Sequence, residues 1–139
     1  MLGNALANGF YGGAGIDTLS GGAGADTLRG GSGGDQLDGG TGRDLLDYTG
    51  SSAGVMVNLA SRTASGGDAQ GDRILNFEGI AGSDWGDSLT GDNQANLLIG
   101  GGGIDTLFGG QGSDTLRGGD GADYLYGRAG TDIVEYTGS

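Results

Sequence analysis

Cysteine, histidine and lysine are all missing from this chain. Without cysteine no disulfide can hold the fold. Without cysteine or histidine, zinc is not expected, and the usual nucleophile–base pairs of enzymes cannot be built. The only strong cations are six arginines, set against 18 acidic residues for a formal net charge of -12. No basic face is available to neutralise phosphates, so nucleic acid is not an expected partner. Anionic membrane surfaces are disfavoured for the same reason. No run of about 20 apolar residues is present, which argues against a transmembrane helix. The first twelve residues, Met1 to Gly12, lack the basic region and apolar core of a signal peptide. Aromatics are only 6% of the chain. A conventional core is therefore thin.

What the chain has instead is glycine, 37 of 139 residues, against a usual share of about 7%. Glycine loses more conformational freedom on folding than any other residue. Ordering each residue costs roughly 1–2 kcal/mol of backbone entropy. By composition such a chain stays disordered unless something else supplies binding energy. Its acidity names the natural suppliers, which are cations.

The glycines are periodic. A nine-residue unit, Gly-Gly-x-Gly-x-Asp-x-aliphatic-x, recurs in phase, most plainly at Gly12–Ser20, Gly21–Arg29, Gly30–Asp38, Gly109–Arg117 and Gly118–Tyr126. Position six is Asp17, Asp26, Asp35, Asp44, Asp87, Asp105, Asp114, Asp123 and Asp132, with Asn8 and Asn96 in weaker units. Position eight is Phe10, Leu19, Leu28, Leu37, Leu46, Leu89, Leu98, Leu107, Leu116, Leu125 and Val134. A ladder of carboxylates and a ladder of apolar side chains share one period. Internal repetition of this kind signals a solenoid.

The units divide the chain into a first repeat block over 1–47, a non-repeat interruption over 48–81 and a second block over 82–139. A larger repeat overlies them. Gly12–Ser51 realigns with Gly100–Ser139, ending in Tyr48-Thr49-Gly50-Ser51 and Tyr136-Thr137-Gly138-Ser139. This 88-residue offset reads as a piece of a longer tandem array. Inside the interruption, Val55, Val57 and Leu59 alternate as in a half-buried strand. Ser65–Asp72 reads as a polar turn. Ile74, Phe77 and Ile80 form a second apolar set. A short helix over Arg73–Glu78 is compatible with the spacing but too brief to assign. Phe77 and Trp85 read as core or plug residues, and Tyr124 and Tyr126, flanking inward Leu125, as outward.

The unit has a physical logic. Residues seven to nine of a strand point out, in, out, so position eight is buried and apolar. The other six residues are expected to reverse the chain, with Gly at positions one, two and four permitting positive φ. Such a turn exposes carbonyl oxygens, and the position-six carboxylate adds charge. Many hard oxygens in a loose geometry suit Ca²⁺, and suit Mg²⁺ less well. If each nonad is half a coil, units two apart stack about 4.8 Å from each other. Position-six residues eighteen apart then pair around cations: Asn8 with Asp26, Asp17 with Asp35, Asp26 with Asp44, Asp87 with Asp105, Asn96 with Asp114, Asp105 with Asp123 and Asp114 with Asp132. About seven Ca²⁺ or more are expected, enough to offset the net -12.

These nonads resemble those of RTX (repeats-in-toxin) proteins, the hemolysin-type calcium-binding repeats. The resemblance covers 99 of the 139 residues. Ile74-Leu75-Asn76-Phe77-Glu78-Gly79-Ile80 also resembles spacers of large RTX toxins and adhesins. The resemblance implies an all-β fold, a right-handed parallel β-roll with calcium in its edge turns. It implies export unfolded by a type I secretion system and folding on external calcium. It also implies a ligand set: positions two, four and six of one unit with one, three and six of the unit two later, through backbone carbonyls except at Asp. One site would use Gly13, Gly15 and Asp17 with Gly30, Ser32 and Asp35. Others would use Gly22, Gly24 and Asp26 with Gly39, Thr41 and Asp44, and Gly101, Gly103 and Asp105 with Gly118, Asp120 and Asp123. Gly110, Gly112 and Asp114 with Gly127 and Asp132 complete the carry-over. Leu6, Trp85 and Gln94 replace the fourth glycine, and Arg128 and Ala129 replace residues two and three of the last unit.

Other readings of these residues stay open. Asp68, Asp72 and Glu78 belong either to a solvated loop or to a further calcium site. The carboxylates could form a glycosidase pair, but their phase assigns them to metal turns, so no enzyme activity is expected. No phosphate loop or EF-hand loop is present. For the parent protein the candidates are a secreted structural spacer or surface adhesin, the folding module of a toxin or hydrolase, and a module binding extracellular polysaccharide, as in alginate-modifying enzymes.

Overall fold

Each nonad forms one strand and one sharp turn, and two nonads make one coil. In the computed structural model, which describes residues 1–136, odd and even strands fall on opposite walls, except that β7 lies with the even strands. The odd wall is a seven-stranded sheet: β1 (Gly9–Ala14), β3 (Thr27–Ser32), β5 (Leu45–Asp47), β9 (Gly79–Ala81), β11 (Leu97–Gly102), β13 (Thr115–Asp120) and β15 (Ile133–Glu135), in that spatial order. The even wall has eight strands. They are β2 (Thr18–Gly24), β4 (Gln36–Gly42), β6 (Met56–Asn58), β7 (Thr63–Ser65), β8 (Arg73–Leu75), β10 (Ser88–Thr90), β12 (Thr106–Gln111) and β14 (Tyr124–Ala129). Their spatial order is β14-β12-β10-β6-β7-β8-β4-β2. The fold is an all-β solenoid of about seven coils, and the repeat coils pair in parallel with Leu over Leu: Leu19 on Leu37, Leu28 on Leu46, Leu98 on Leu116.

The strands are longer than the nonad logic suggests. β1 and β3 continue through positions one to three of the next unit, pairing Gly13 with Gly31 and Ala14 with Ser32. Reversal is left to positions four to six, as at Gly33–Asp35 between β3 and β4. A coil stacked on its neighbour keeps pairing wherever both backbones repeat, and the glycines repeat as faithfully as the leucines. Where a Cβ on Gly31 would stand, the Gly13 carbonyl already lies. Only glycine lets turns stack this closely.

The interruption is absorbed unequally. On the odd wall it contributes one strand, with Ile80 of β9 seated between Leu46 and Leu98. On the even wall it contributes three, and β7 runs antiparallel to both β6 and β8. The core is one column of position-eight leucines, widened at the interruption by Tyr48, Val55, Val57, Leu59, Ala69, Ile74 and Phe77, all buried. Arg73–Glu78, a span too brief to assign from its spacing, forms no helix: β8 pairs with β4, and the only helical turn among the described residues is a 3-10 turn at Gly67–Ala69. Two expectations need correction. Trp85 is no plug; its side chain is 55% exposed, because it lies in the turn before Asp87 rather than at an inward position. Position eight opens at the outermost coils, where Phe10 and Leu125 are half-buried and Val134 is exposed, since no described coil lies over them. Tyr124 and Tyr126 point outward as expected, and Tyr126 stacks on Phe108 at 5.0 Å. Thr137-Gly138-Ser139, which close the second copy of the 88-residue repeat, lie outside the described residues.

Candidate metal centres

Because position six immediately precedes each strand pair, the coil places these residues in two rows, one at each edge. Along both rows the earlier residue donates its backbone N–H to the carboxylate eighteen residues later. At the entrance to the odd wall these bonds run from Asn8 to Asp26 (2.7 Å), Asp26 to Asp44 (2.8 Å), Asn96 to Asp114 (2.8 Å) and Asp114 to Asp132 (3.0 Å). At the other edge they run from Asp17 to Asp35 (2.9 Å), Asp87 to Asp105 (2.8 Å) and Asp105 to Asp123 (3.0 Å). All seven expected pairs are therefore neighbours. The contact differs from the carboxylate-to-carboxylate pairing expected: one oxygen of each later Asp is already held by backbone.

The other oxygen is not. Oδ2 of Asp26, Asp35, Asp44, Asp105 and Asp114 is buried with no hydrogen-bond partner. A buried polar atom left unpaired costs about 1–3 kcal/mol, and more if charged. Five such atoms in register call for a shared cause. Their surroundings supply it. The space beside Gly21 where a Cβ would stand is flanked by Asp26 Oδ2 and the Gly39 carbonyl oxygen. Asp105 Oδ2 and the Gly118 carbonyl flank Gly100 in the same way, as do Asp114 Oδ2 and the Gly127 carbonyl at Gly109, and Asp17 Oδ2 and the Gly30 carbonyl at Gly12. Each cradle thus gathers a carboxylate oxygen of one unit with a position-one carbonyl of the unit two later. Burial raises the carboxyl pKa of Asp44 and Asp114, and pushes Asp105 up to about 6. The nearby carboxylates add to this, while the N–H bond to Oδ1 opposes it. These are the signs of anionic sites lacking a positive charge.

No three acidic side chains gather at one point among the described residues. A cation held here would therefore need backbone carbonyls for most of its ligands. Hard oxygens, at most a carboxylate or two per site and no nitrogen or sulfur fit Ca²⁺. A family model for the RTX calcium-binding nonapeptide repeat (4 copies) matches residues 11–46, 79–116 and 99–134. The chain belongs to the RTX calcium-binding nonapeptide repeat family. No curated protein matches it significantly. The RTX repeat is a structural calcium-binding module rather than a catalytic family. Among the described residues, no helix is long and apolar enough to cross a membrane.

The carried-over ligand sets fall on neighbouring turns of this RTX solenoid. Gly15 donates its N–H to the Ser32 carbonyl at 2.8 Å. Gly22 and Gly24 stack under Gly40 and Gly42, with Ala23 beside Thr41. Gly101 pairs with Gly119 and Gly102 with Asp120. Gly103 and Gly112 adopt positive φ; the Gln94 carbonyl of the preceding coil faces Gly112, and the Trp85–Gly86 peptide faces Gly103.

Two residues weighed only as loop or extra site join the rows. Asp44 donates its N–H to Glu78 Oε2 (2.9 Å), and Asp35 to Asp72 Oδ1 (2.8 Å). The interruption thus supplies its own position-six carboxylates, out of nonad phase, where spacing could not reveal them. Asp68 stays half-buried in the loop, its N–H donating to Ser51 Oγ. A further signal lay unnoticed in the sequence at position two, where Asn4, Ser83 and Asp92 stand instead of glycine.

Proposed function

We propose that this chain is a calcium-gated folding module of a secreted bacterial protein, exported unfolded through a type I system and ordered by Ca²⁺ outside the cell. Blocks 1–47 and 82–139 are its calcium-dependent parts and 48–81 the spacer between them. Once folded it serves as a stiff structural or adhesive segment at the cell surface. The observation that carries this reading is the set of buried, unpartnered Asp Oδ2 atoms, those of Asp26, Asp44, Asp105 and Asp114 each beside a backbone carbonyl oxygen.

Bound Ca²⁺ supplies the positive charge and oxygen coordination these cradles lack. The chain's own residues do the rest. Asp17, Asp26, Asp35, Asp44, Asp105 and Asp114 present the charged oxygen, and position-six N–H groups fix all of these carboxylates but Asp17 through Oδ1. Extracellular calcium modules bind with Kd of about 10⁻⁴–10⁻³ M, so such sites stay empty in cytosol and fill outside. Binding energy then becomes folding energy. Far-UV circular dichroism of the chelated chain during CaCl₂ addition, with MgCl₂ as control, tests this. A cooperative rise of β signal with Ca²⁺ alone is expected. A chain already folded in excess chelator would refute the switch.

A further inference from the structure

The eleven nonads are not equivalent as metal sites, and position two separates them. In eight units it has positive φ: Gly13, Gly22, Gly31, Gly40, Gly101, Gly110 and Gly119 lie between 98° and 115°, and Arg128 at 73°. In none of these eight does the position-two N–H reach the position-six side chain. In the other three, position two is Asn4, Ser83 or Asp92, none with positive φ. A side chain disfavours positive φ, and in all three the turn closes so that this N–H donates to the position-six oxygen. Asn4 donates to Asn8 Oδ1 (3.0 Å), Asp92 to Asn96 Oδ1 (2.7 Å) and Ser83 to Asp87 Oδ2 (2.6 Å). Ser83 adds its hydroxyl, which donates to Asp87 at 2.9 Å. The cradle beside Gly82 still holds Asp87 Oδ2 and the Gly100 carbonyl. Its oxygen, however, is already satisfied, and Asp87 is missing from the unpartnered buried carboxylates although it is 4% exposed.

We propose that position two is a metal gate. Glycine there leaves the unit's carboxylate free for Ca²⁺, and a side-chain-bearing residue of ordinary φ closes the unit by hydrogen-bonding that oxygen from within. The units starting at Gly3, Gly82 and Gly91 are then metal-free. The last two are consecutive and make one whole coil. The interruption beneath them uses the same device with another donor, since the buried Tyr48 hydroxyl donates to Asp72 Oδ2 at 2.8 Å. Calcium is confined to two stretches, Asp17 to Asp44 and Asp105 onward, flanking a middle held by the protein's own N–H and O–H groups. This inference rests on the calcium reading above.

Asp87 makes the sharpest test, because its unit keeps the carboxylate and loses only the gate. Bound Ca²⁺ is counted by equilibrium dialysis of the full chain at saturating CaCl₂. Asp87→Asn is expected to leave the count unchanged, Asp105→Asn to lower it by at least one, and Ser83→Gly to raise it by one. An unchanged count for Ser83→Gly, or a lower one for Asp87→Asn, overturns the gate. Ser83→Gly removes a buried hydroxyl but no apolar core side chain, and keeps the test decisive if Asp105→Asn does not fold. A native chain that binds no Ca²⁺ would overturn the calcium reading itself, a separate result from an unchanged count in the variant.

Discussion

At the scale of single residues, glycine and leucine hold positions that no other residue fills equally. Gly101 has φ of 115°, and a Cβ there would fall on the Ser83 carbonyl. Gly101→Ala is expected to cost about 2 kcal/mol or more, from strain and collision together. Gly9→Ala, where a Cβ meets nothing within 4 Å, should stay within about 0.5 kcal/mol of native. Thermal unfolding in saturating Ca²⁺ compares the pair. The same measurement separates Leu98 from Trp85. Leu98→Ala empties a fully buried site and should cost about 2–5 kcal/mol. Trp85→Ala touches an exposed ring and should be near neutral. Tyr48→Phe leaves Asp72 Oδ2 without its donor and is expected to cost about 1–3 kcal/mol.

At the scale of one turn, what matters is the charge that neighbouring units bring together. In the metal-free fold Asp105 is raised from 3.8 to about 6, chiefly by burial, and Asp44 and Asp114 are raised for the same reason. A carboxyl whose folded pKa exceeds its unfolded value favours the fold while protonated. That contribution is complete below about 3.8 and is lost as pH rises through about 6. The chelated chain is therefore expected to be more ordered at pH 4 than at pH 7. Calcium needs the ionised form, so its stabilisation runs oppositely and shrinks as pH falls through the same window. Melting curves at both pH values, with Ca²⁺ and with chelator, check the crossing. A chelated chain equally stable at pH 4 and pH 7 would show that the turns do not govern folding.

At the scale of the whole molecule, each coil touches only its neighbours, so stability is a sum of coils and interfaces. Coils with open cradles hold a buried carboxylate oxygen with no partner, whereas those of the middle bond theirs from within. Hydrogen exchange at sub-saturating Ca²⁺ is expected to protect Val57, Ile80 and Leu89 at lower calcium than Leu28 or Leu116, the two sides of the gate. Equal protection at every calcium level would mean that the solenoid orders as one unit.

The sequence by itself determined the period, and with it most of the architecture. A column of Leu at position eight and a row of Asp at position six can share one phase only if coils stack in register. Spacing alone therefore brought Asp26 beside Asp44 and Asp105 beside Asp123. The interruption escaped that logic. Asp72 and Glu78 enter the rows through pairing of β4 with β8 and β5 with β9, contacts across a segment with no period to count. The antiparallel β7 depends on the same packing. Nor could spacing say which carboxylate oxygens are free. That depends on where the position-two N–H points, and the sign of a backbone φ in the assembled turn decides it.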